Sequence, residues 1–226
     1  MIVVVGSRHD RVAGHLVGSL PRAALCSAED LLAPGWVWPA GTATGRTWVV
    51  DGRCVPDRDV SGVFVRRAAV YPDELLHVQP EDRAYLAAEC HAFMIFVLAT
   101  TAATVLNGVG EGAGDGAIGD EAVRPERWMP AAVASGLTLA PLRLTSDPRR
   151  ERRLTMSVVE VVGGETFGPA GDACHRGAAR LAGALGMQWA TCVFDGRSRL
   201  AAVTTAAVPT DAAIGALAGV LGGGRR

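Results

Sequence analysis

Residues 60–107, VSGVFVRRAAVYPDELLHVQPEDRAYLAAECHAFMIFVLATTAATVLN, constrain the fold of this chain more than any other stretch. The β-branched run 60–65 predicts a strand, closed by Arg66-Arg67. After a Pro-containing linker, Pro80 suits the first position of a helix. Glu81 and Asp82 then fall in its first turn, where acid complements the helix dipole. Tyr85, Leu86, Cys90, Phe93, Met94 and Val97 recur at helical spacing. Beyond Phe93 the segment is apolar all round, which predicts a helix buried on every side. Asn107-Gly108 is the expected left-handed stop.

The chain before this stretch has a βαβ-like start. Residues 2–5 are a continuous β-branched run ending in Gly6-Ser7, the form of a buried parallel strand. Residues 10–20 place Val12, Leu16 and Leu20 on one helical face, and Pro21 stops them. Residues 23–26 predict a second strand, and Ser27 opens a short helical turn. The Gly6-Ser7 turn reads as chain reversal in preference to an anion site. From Gly35 the period changes to two: Trp36 and Trp38 alternate with Val37 and Pro39. Asp51-Gly52 joins residues 47–50 to residues 53–55 as a hairpin. The tryptophans are expected to fill the faces of the sheet.

Residues 109–120, VGEGAGDGAIGD, are Gly-rich and acidic. A phosphate-cradling loop needs glycines between a strand and a helix with a cation close by; this segment follows a helix and carries acid, so a flexible surface loop is expected. Residues 125–135 predict a helix, 137–144 a strand, and 157–162 with 165–167 a second hairpin around Gly163-Gly164. Residues 172–185 predict an amphipathic helix, 189–194 and 199–204 a strand pair, and 211–221 the last helix.

Composition narrows the function. All 22 basic residues are arginine, lysine is absent, and Asn107 is the only asparagine. A net charge of −1 gives no electrostatic footprint for nucleic acid or an anionic membrane. The most apolar run, 93–106, is too short to span a bilayer. Met1 to Val5 lacks the basic flank of a signal peptide. The five cysteines, an odd and scattered set, suggest reduced thiols and a cytoplasmic location. The Ala, Arg, Gly and Val content points to a GC-rich bacterial genome.

Few residue groups carry chemistry on spacing alone. Cys90-His91 and Cys174-His175 are two thiol–imidazole pairs without the C-x2-C spacing of a structural zinc site. Buried structural cysteines are the simpler reading, and no orienting acid for a Cys–His nucleophile adjoins either pair. Arg149, Arg150, Arg152 and Arg153 form a run that reads as an exposed linker, with grip on an acidic partner as the alternative. Arg66 and Arg67 could receive carboxylates bidentately.

Taken in order, the βαβ-like start, the Trp-rich hairpin, VSGVFVRR and PEDRAYLAAECHAFMIFVL…VLN resemble the N-terminal domain of ATP-grasp peptide ligases. The similar branch is the peptide-maturase (microviridin or graspetide) type, which closes ester or amide bonds in ribosomal peptides. RPERWMPAAVASGLTLAPLRLTSDP, GGETFG and AARLAGALGMQWATCVFDG continue the resemblance over nearly the whole chain. It implies an α/β protein: a pre-ATP-grasp-like, Rossmann-like N-terminal domain over 1–108, the Gly-rich loop 109–120, and a reduced α+β ATP-grasp-like domain over 121–226.

The departures from the family pattern matter as much. Eight residues, 148–155, stand where the family inserts a β-rich lobe that supplies phosphate-binding lysines and the adenine hinge. Arg124 replaces the family's opening lysine. The last strands, WATCVF and LAAVTT, lack the acidic residue and the Glu-x-Asn that hold two magnesium ions in the family. Acyl-phosphate chemistry needs those charges. The resemblance therefore implies a truncated, degenerate ATP-grasp protein: a non-catalytic pseudoenzyme with no cofactor, no metal and no catalytic residues. Its expected partner is a full-length ATP-grasp ligase or another enzyme of peptide natural-product (RiPP) biosynthesis. A homodimer and a bound precursor peptide stay open. Arg66, Arg67, Arg124, Arg149, Arg150, Arg152 and Arg153 are the candidate binding residues. The alternatives are a stand-alone module for a precursor peptide or small metabolite, and a minimal active carboxylate–amine ligase drawing metal ligands from Glu160, Glu165 or Asp195.

Overall fold

The computed structural model describes residues 1–67, 69–108, 124–141, 156–205 and 207–223. The chain divides into two compact units, Met1–Glu121 with Leu217–Arg226, and Ala122–Ala216.

In the first unit β1 (Ile2–Val5), β2 (Ala23–Cys26), β5 (Gly62–Val65) and β6 (Thr104–Leu106) form a parallel sheet in the order β2-β1-β5-β6. β1 and β5 are buried along their whole length, as central parallel strands covered on both faces must be. The crossover helix α1 (Arg11–Ser19) is capped by Asp10, whose carboxylate accepts the Val12 N–H at 2.8 Å. The short helix α2 (Ala28–Leu32) opens on a capping box of Ser27 and Asp30. Asp30 also accepts the Gly52 N–H at 2.8 Å, so one buried carboxylate ties α2 to the tip of the next hairpin.

That hairpin is β3 (Thr47–Val50) and β4 (Arg53–Pro56), in the register set by Asp51-Gly52. Both turn residues have positive φ, 49° and 69°, as a tight I′ turn requires. Trp48 is sealed in the core; Trp36 and Trp38 are only half-buried. Trp36 packs on Trp48 tilted at 5.6 Å and Trp38 edge-on at 5.5 Å, and Trp36 meets Phe93 edge-on at 5.0 Å. Buried Asp57 accepts from Trp48 Nε1 (2.8 Å), Thr101 Oγ1 (2.6 Å) and the Ala102 N–H (3.4 Å). The hairpin is thereby fastened to the end of the long helix.

The long helix, α3 (Arg83–Thr100), departs from expectation at both ends. Pro80 to Asp82 form a turn, with the Asp82 N–H on the Gln79 carbonyl, and neither acid lies inside the helix. At the other end Thr104-Val105-Leu106 leaves the helix to pair with β5. An apolar β-branched run of this length fits a buried strand as well as a helix, and the parallel partner decides. Asn107 does adopt φ 54°, but it ends a strand. Nor is α3 buried all round: Ala87, Cys90, Met94, Val97 and Leu98 face the core, whereas Tyr85 is 66% and Phe96 40% exposed. With 18 residues, α3 is longer than the apolar run and is the one described helix whose length and composition would cross a membrane. Its inward face instead belongs to the core beneath the parallel sheet.

In the second unit β7 (Ser157–Val162), β8 (Glu165–Phe167), β9 (Trp189–Phe194) and β10 (Leu200–Thr204) form an antiparallel sheet in the order β10-β9-β7-β8. Gly163 and Gly164, both at positive φ, make the β7–β8 turn. The helix α5 (Asp172–Ala184) buries Cys174, Ala178, Leu181 and Ala182 in a core shared with Val159, Val161, Cys192 and Phe194. The helix α4 (Pro125–Ala134) joins this core through Trp128 and Ala132. Arg180 of α5 caps it, donating Nε (3.1 Å) and Nη2 (2.7 Å) to the Ser135 carbonyl. The last helix is α6 (Asp211–Gly222). Of the strand expected over 137–144, Leu139 forms a single parallel bridge to Leu200. Residues 142–155 and the Gly-rich loop 109–120 lie outside the described residues.

Candidate functional site

Ligands of open parallel sheets bind at the carboxyl ends of the strands, which is where Arg66 and Arg67 follow β5. Both guanidinium groups are nearly sealed, with side chains 7% and 5% exposed. Arg66 donates Nε and Nη2 to Asp10, each at 3.1 Å, so the carboxylate that caps α1 also holds this arginine. Arg67 Nη2 donates to Glu74 at 2.6 Å. These buried pairs engage the very groups that a peptide carboxylate would have to reach.

Arg67 keeps Nε and Nη1 buried without a hydrogen-bond partner. Its charge also reaches two thiols of the same core. Burial pushes the Cys26 and Cys90 thiols up, and Arg67 draws both partway back. Thiols shifted upward are protonated and unreactive. Cys90 lies in the core of the first unit and Cys174 in that of the second. His175 Nε2 meets the Gly168 carbonyl at 3.2 Å. Burial likewise raises Cys192, to about 12. No three metal-ligating side chains come together among the described residues.

The three carboxylates proposed as replacement metal ligands occupy separate places. Glu160, in the middle of β7, is buried and accepts the Thr210 N–H (3.0 Å) and Oγ1–H. Thr210 Oγ1 in turn lies 3.4 Å from the Ala213 N–H, so Glu160 braces the start of α6. Glu165 opens β8 opposite Val162, at the hairpin end of the sheet. Asp195 follows Phe194, which pairs with Ser157 at the other end of β7. Five residues of strand separate those ends, on the order of 17 Å, too far for one ion.

Asp195 is also fully engaged. It accepts the Arg197 and Arg199 N–H groups at 3.0 Å and a two-pronged pair from the Arg199 side chain at 2.9 and 2.7 Å. Hydrogen bonding to Arg199 holds its carboxyl at about 2. Across the middle of the sheet Glu160, Thr191 and Thr204 stand in register, and the Thr191 hydroxyl is buried without a partner. One braced carboxylate beside hydroxyls is a poor donor set for nucleotide-bound magnesium, which takes carboxylates and phosphates. The described residues of this sheet therefore do not fit that metal.

Arg124 is exposed and precedes α4, its carbonyl accepting the Arg127 and Trp128 N–H groups. Arg149, Arg150, Arg152 and Arg153 lie outside the described residues. Sequence reasoning missed Asp10, Glu74 and Thr210, the partners of Arg66, Arg67 and Glu160. Only Asp10 carried a readable signal, as the polar residue just before a helical stripe.

No family model and no curated protein matches the chain in sequence. Solved structures do. Macrocyclase MdnC, bound with precursor peptide MdnA from Microcystis aeruginosa MRC, superposes with a TM-score of 0.69 at 11% identity, covering 98% of this chain and 99% of that one. ATP-grasp ligase PsnB, complexed with a minimal precursor, gives 0.65 at 14% identity, covering 99% and 98%. A Chryseobacterium gregarium RiPP-associated ATP-grasp ligase, in complex with ADP and a leader and core peptide, gives 0.65 at 9% identity, covering 97% and 96%. The mixed α/β architecture, a four-stranded parallel sheet, a four-stranded antiparallel sheet and a two-stranded hairpin, therefore matches the fold of these ATP-grasp ligases.

Proposed function

We propose that this chain is a non-catalytic partner subunit, a pseudoenzyme of ATP-grasp fold that supports an ATP-grasp ligase or a related enzyme of peptide natural-product biosynthesis in a bacterial cytoplasm. One observation carries the reading. A fold that superposes over nearly the full length of peptide-modifying ligases has as its last two strands β9 and β10, which carry neither a carboxylate nor an asparagine. Fold without function-bearing residues is the expected state of a subunit retained for docking. The bracing of Glu160 and the saturation of Asp195 support it, because Asp195 already accepts four hydrogen bonds and Glu160 is committed to Thr210. The loss of the β-rich lobe belongs to the same proposal.

Co-expression with a full-length peptide-modifying ATP-grasp ligase tests the reading. The two chains are expected to co-purify, and the ligase to close its precursor faster with this subunit than alone. A ligase of full activity that ignores the chain would refute it. A second reading is a stand-alone binder of precursor peptide, favoured by the peptides held in the similar structures. Saturable binding of a precursor to the purified chain, with no ligase present, would select that reading.

A further inference from the structure

Arg67 is held less completely than its neighbour. Arg66 gives Asp10 both Nε and Nη2, whereas Arg67 gives Glu74 Nη2 alone. Its Nε and Nη1 stay buried without a partner. A guanidinium has two edges that grip a carboxylate with two prongs, Nε/Nη2 and Nη1/Nη2, and Nη2 belongs to both. One oxygen on Nη2 therefore leaves each edge half filled. Glu74 completes neither edge, because its second oxygen accepts the Tyr71 N–H at 3.1 Å.

The surroundings of Arg67 are spent elsewhere. Asp30, which acts on the Cys26 thiol as Arg67 does, already accepts the Ser27 N–H and Oγ–H at 2.8 and 2.9 Å and the Gly52 N–H at 2.8 Å. Cys26 Sγ lies 3.6 Å from the Val49 carbonyl. Beyond these the core is apolar, with Val65, Val70 and Leu75 buried. Buried donors without an acceptor are rare in folded proteins, and here they stand at the carboxyl end of a parallel strand, where small ligands bind.

Glu74 is placed to give way. It ends the single 3-10 turn Pro72–Glu74, and its side chain is 19% exposed. Tyr71 and Leu76, on either side of it in the chain, are both exposed. A carboxylate that takes its place fills one edge with two oxygens instead of one. The exchange also keeps a single negative charge beside the guanidinium, so no net charge is buried. With Arg67 only 5% exposed at the side chain, the occupant is the size of formate or acetate, not a group carried on a long chain.

We propose that Arg67 is a binding site for a small free carboxylate, with Glu74 as its internal stand-in, and that binding releases the turn that carries Glu74. This goes beyond both readings of function and rests on neither, so its failure would leave co-purification with a ligase untouched. A ligand of about four non-hydrogen atoms binds weakly, with Kd on the order of 1 mM.

Sodium acetate titrated into the full chain, against sodium chloride at equal ionic strength, tests the site. Acetate is expected to move the Tyr71 amide NMR signal saturably, since Glu74 is the acceptor of that amide; chloride is expected to leave it in place. Glu74→Gln removes the competing charge and is expected to tighten acetate binding about tenfold. In Glu74→Ala, acetate is expected to raise the urea midpoint back toward that of the unaltered chain. Arg67→Met combined with Glu74→Ala removes both charges at once, which a fold tolerates far better than losing one, and is expected to abolish the response. An equal response to chloride overturns the proposal, as does an affinity that Glu74→Gln leaves unchanged or an acetate effect that survives in the double variant. The absence of any saturable shift also overturns it, and would assign the two donors to ordered water. A glutamate-bearing peptide that moves the Tyr71 signal where acetate does not overturns it as well, and would assign Arg67 to a peptide side chain.

Discussion

Replacing Asp57 by alanine removes the acceptor that binds the Trp hairpin to the end of α3. Three donors lose their partner: Trp48 Nε1, Thr101 Oγ1 and the Ala102 N–H. Trp48 is 1% exposed, so its N–H stays buried and unsatisfied, which costs about 1–3 kcal/mol. Thr101 and Ala102 sit nearer the surface and regain water, so each loses only a net hydrogen bond, about 0.5–1.5 kcal/mol. The sum is about 2–6 kcal/mol, a large share of the ~5–15 kcal/mol that holds a typical fold. Urea unfolding followed by tryptophan fluorescence measures it as a lowered midpoint at unchanged slope. Asp59→Ala, two residues along and largely exposed, is the control and is expected to stay within about 0.5 kcal/mol. A loss below 1 kcal/mol for Asp57→Ala would show that the carboxylate does not join these elements.

Further outcomes follow from the same geometry. Glu74→Ala leaves the Arg67 guanidinium buried without its counter-ion and is expected to destabilise by about 3–5 kcal/mol in the same assay. Gly168→Ala is expected to destabilise by more than 1 kcal/mol, because φ is +129° and the added Cβ would lie 2.2 Å from the Val158 carbonyl oxygen. Asp195 titrates with its midpoint depressed to about 2, so the stability from its pairing with Arg199 is complete above the ordinary carboxylate value of 3.8. That stability is lost as the pH falls through 2, and Arg199→Ala is expected to return the midpoint toward 3.8 by NMR titration.

The parts of the fold legible in the sequence are those whose signals are local. Asp51-Gly52 and Gly163-Gly164 set two hairpins by turn chemistry alone, and Asp10 and Ser27 marked helix starts within a residue or two. Residues 101–107 were misread because TAATVLN suits a buried helix as well as a strand. The strand it pairs with lies some forty residues upstream. The exposed face of α3 was hidden for a related reason: Tyr85 and Phe96 are as apolar as Met94, and only the packed structure separates the two faces. At the candidate site the arginines were visible but their fate was not. Asp10 and Glu74 claim Arg66 and Arg67 through contacts that no spacing rule encodes.

Isothermal titration of ATP with magnesium into the purified full chain tests the proposed loss of ligase chemistry most directly. The account predicts no saturable heat in the micromolar range, since β9 and β10 carry no carboxylate and Glu160 and Asp195 are already engaged. Micromolar binding of the nucleotide, dependent on magnesium, would contradict it.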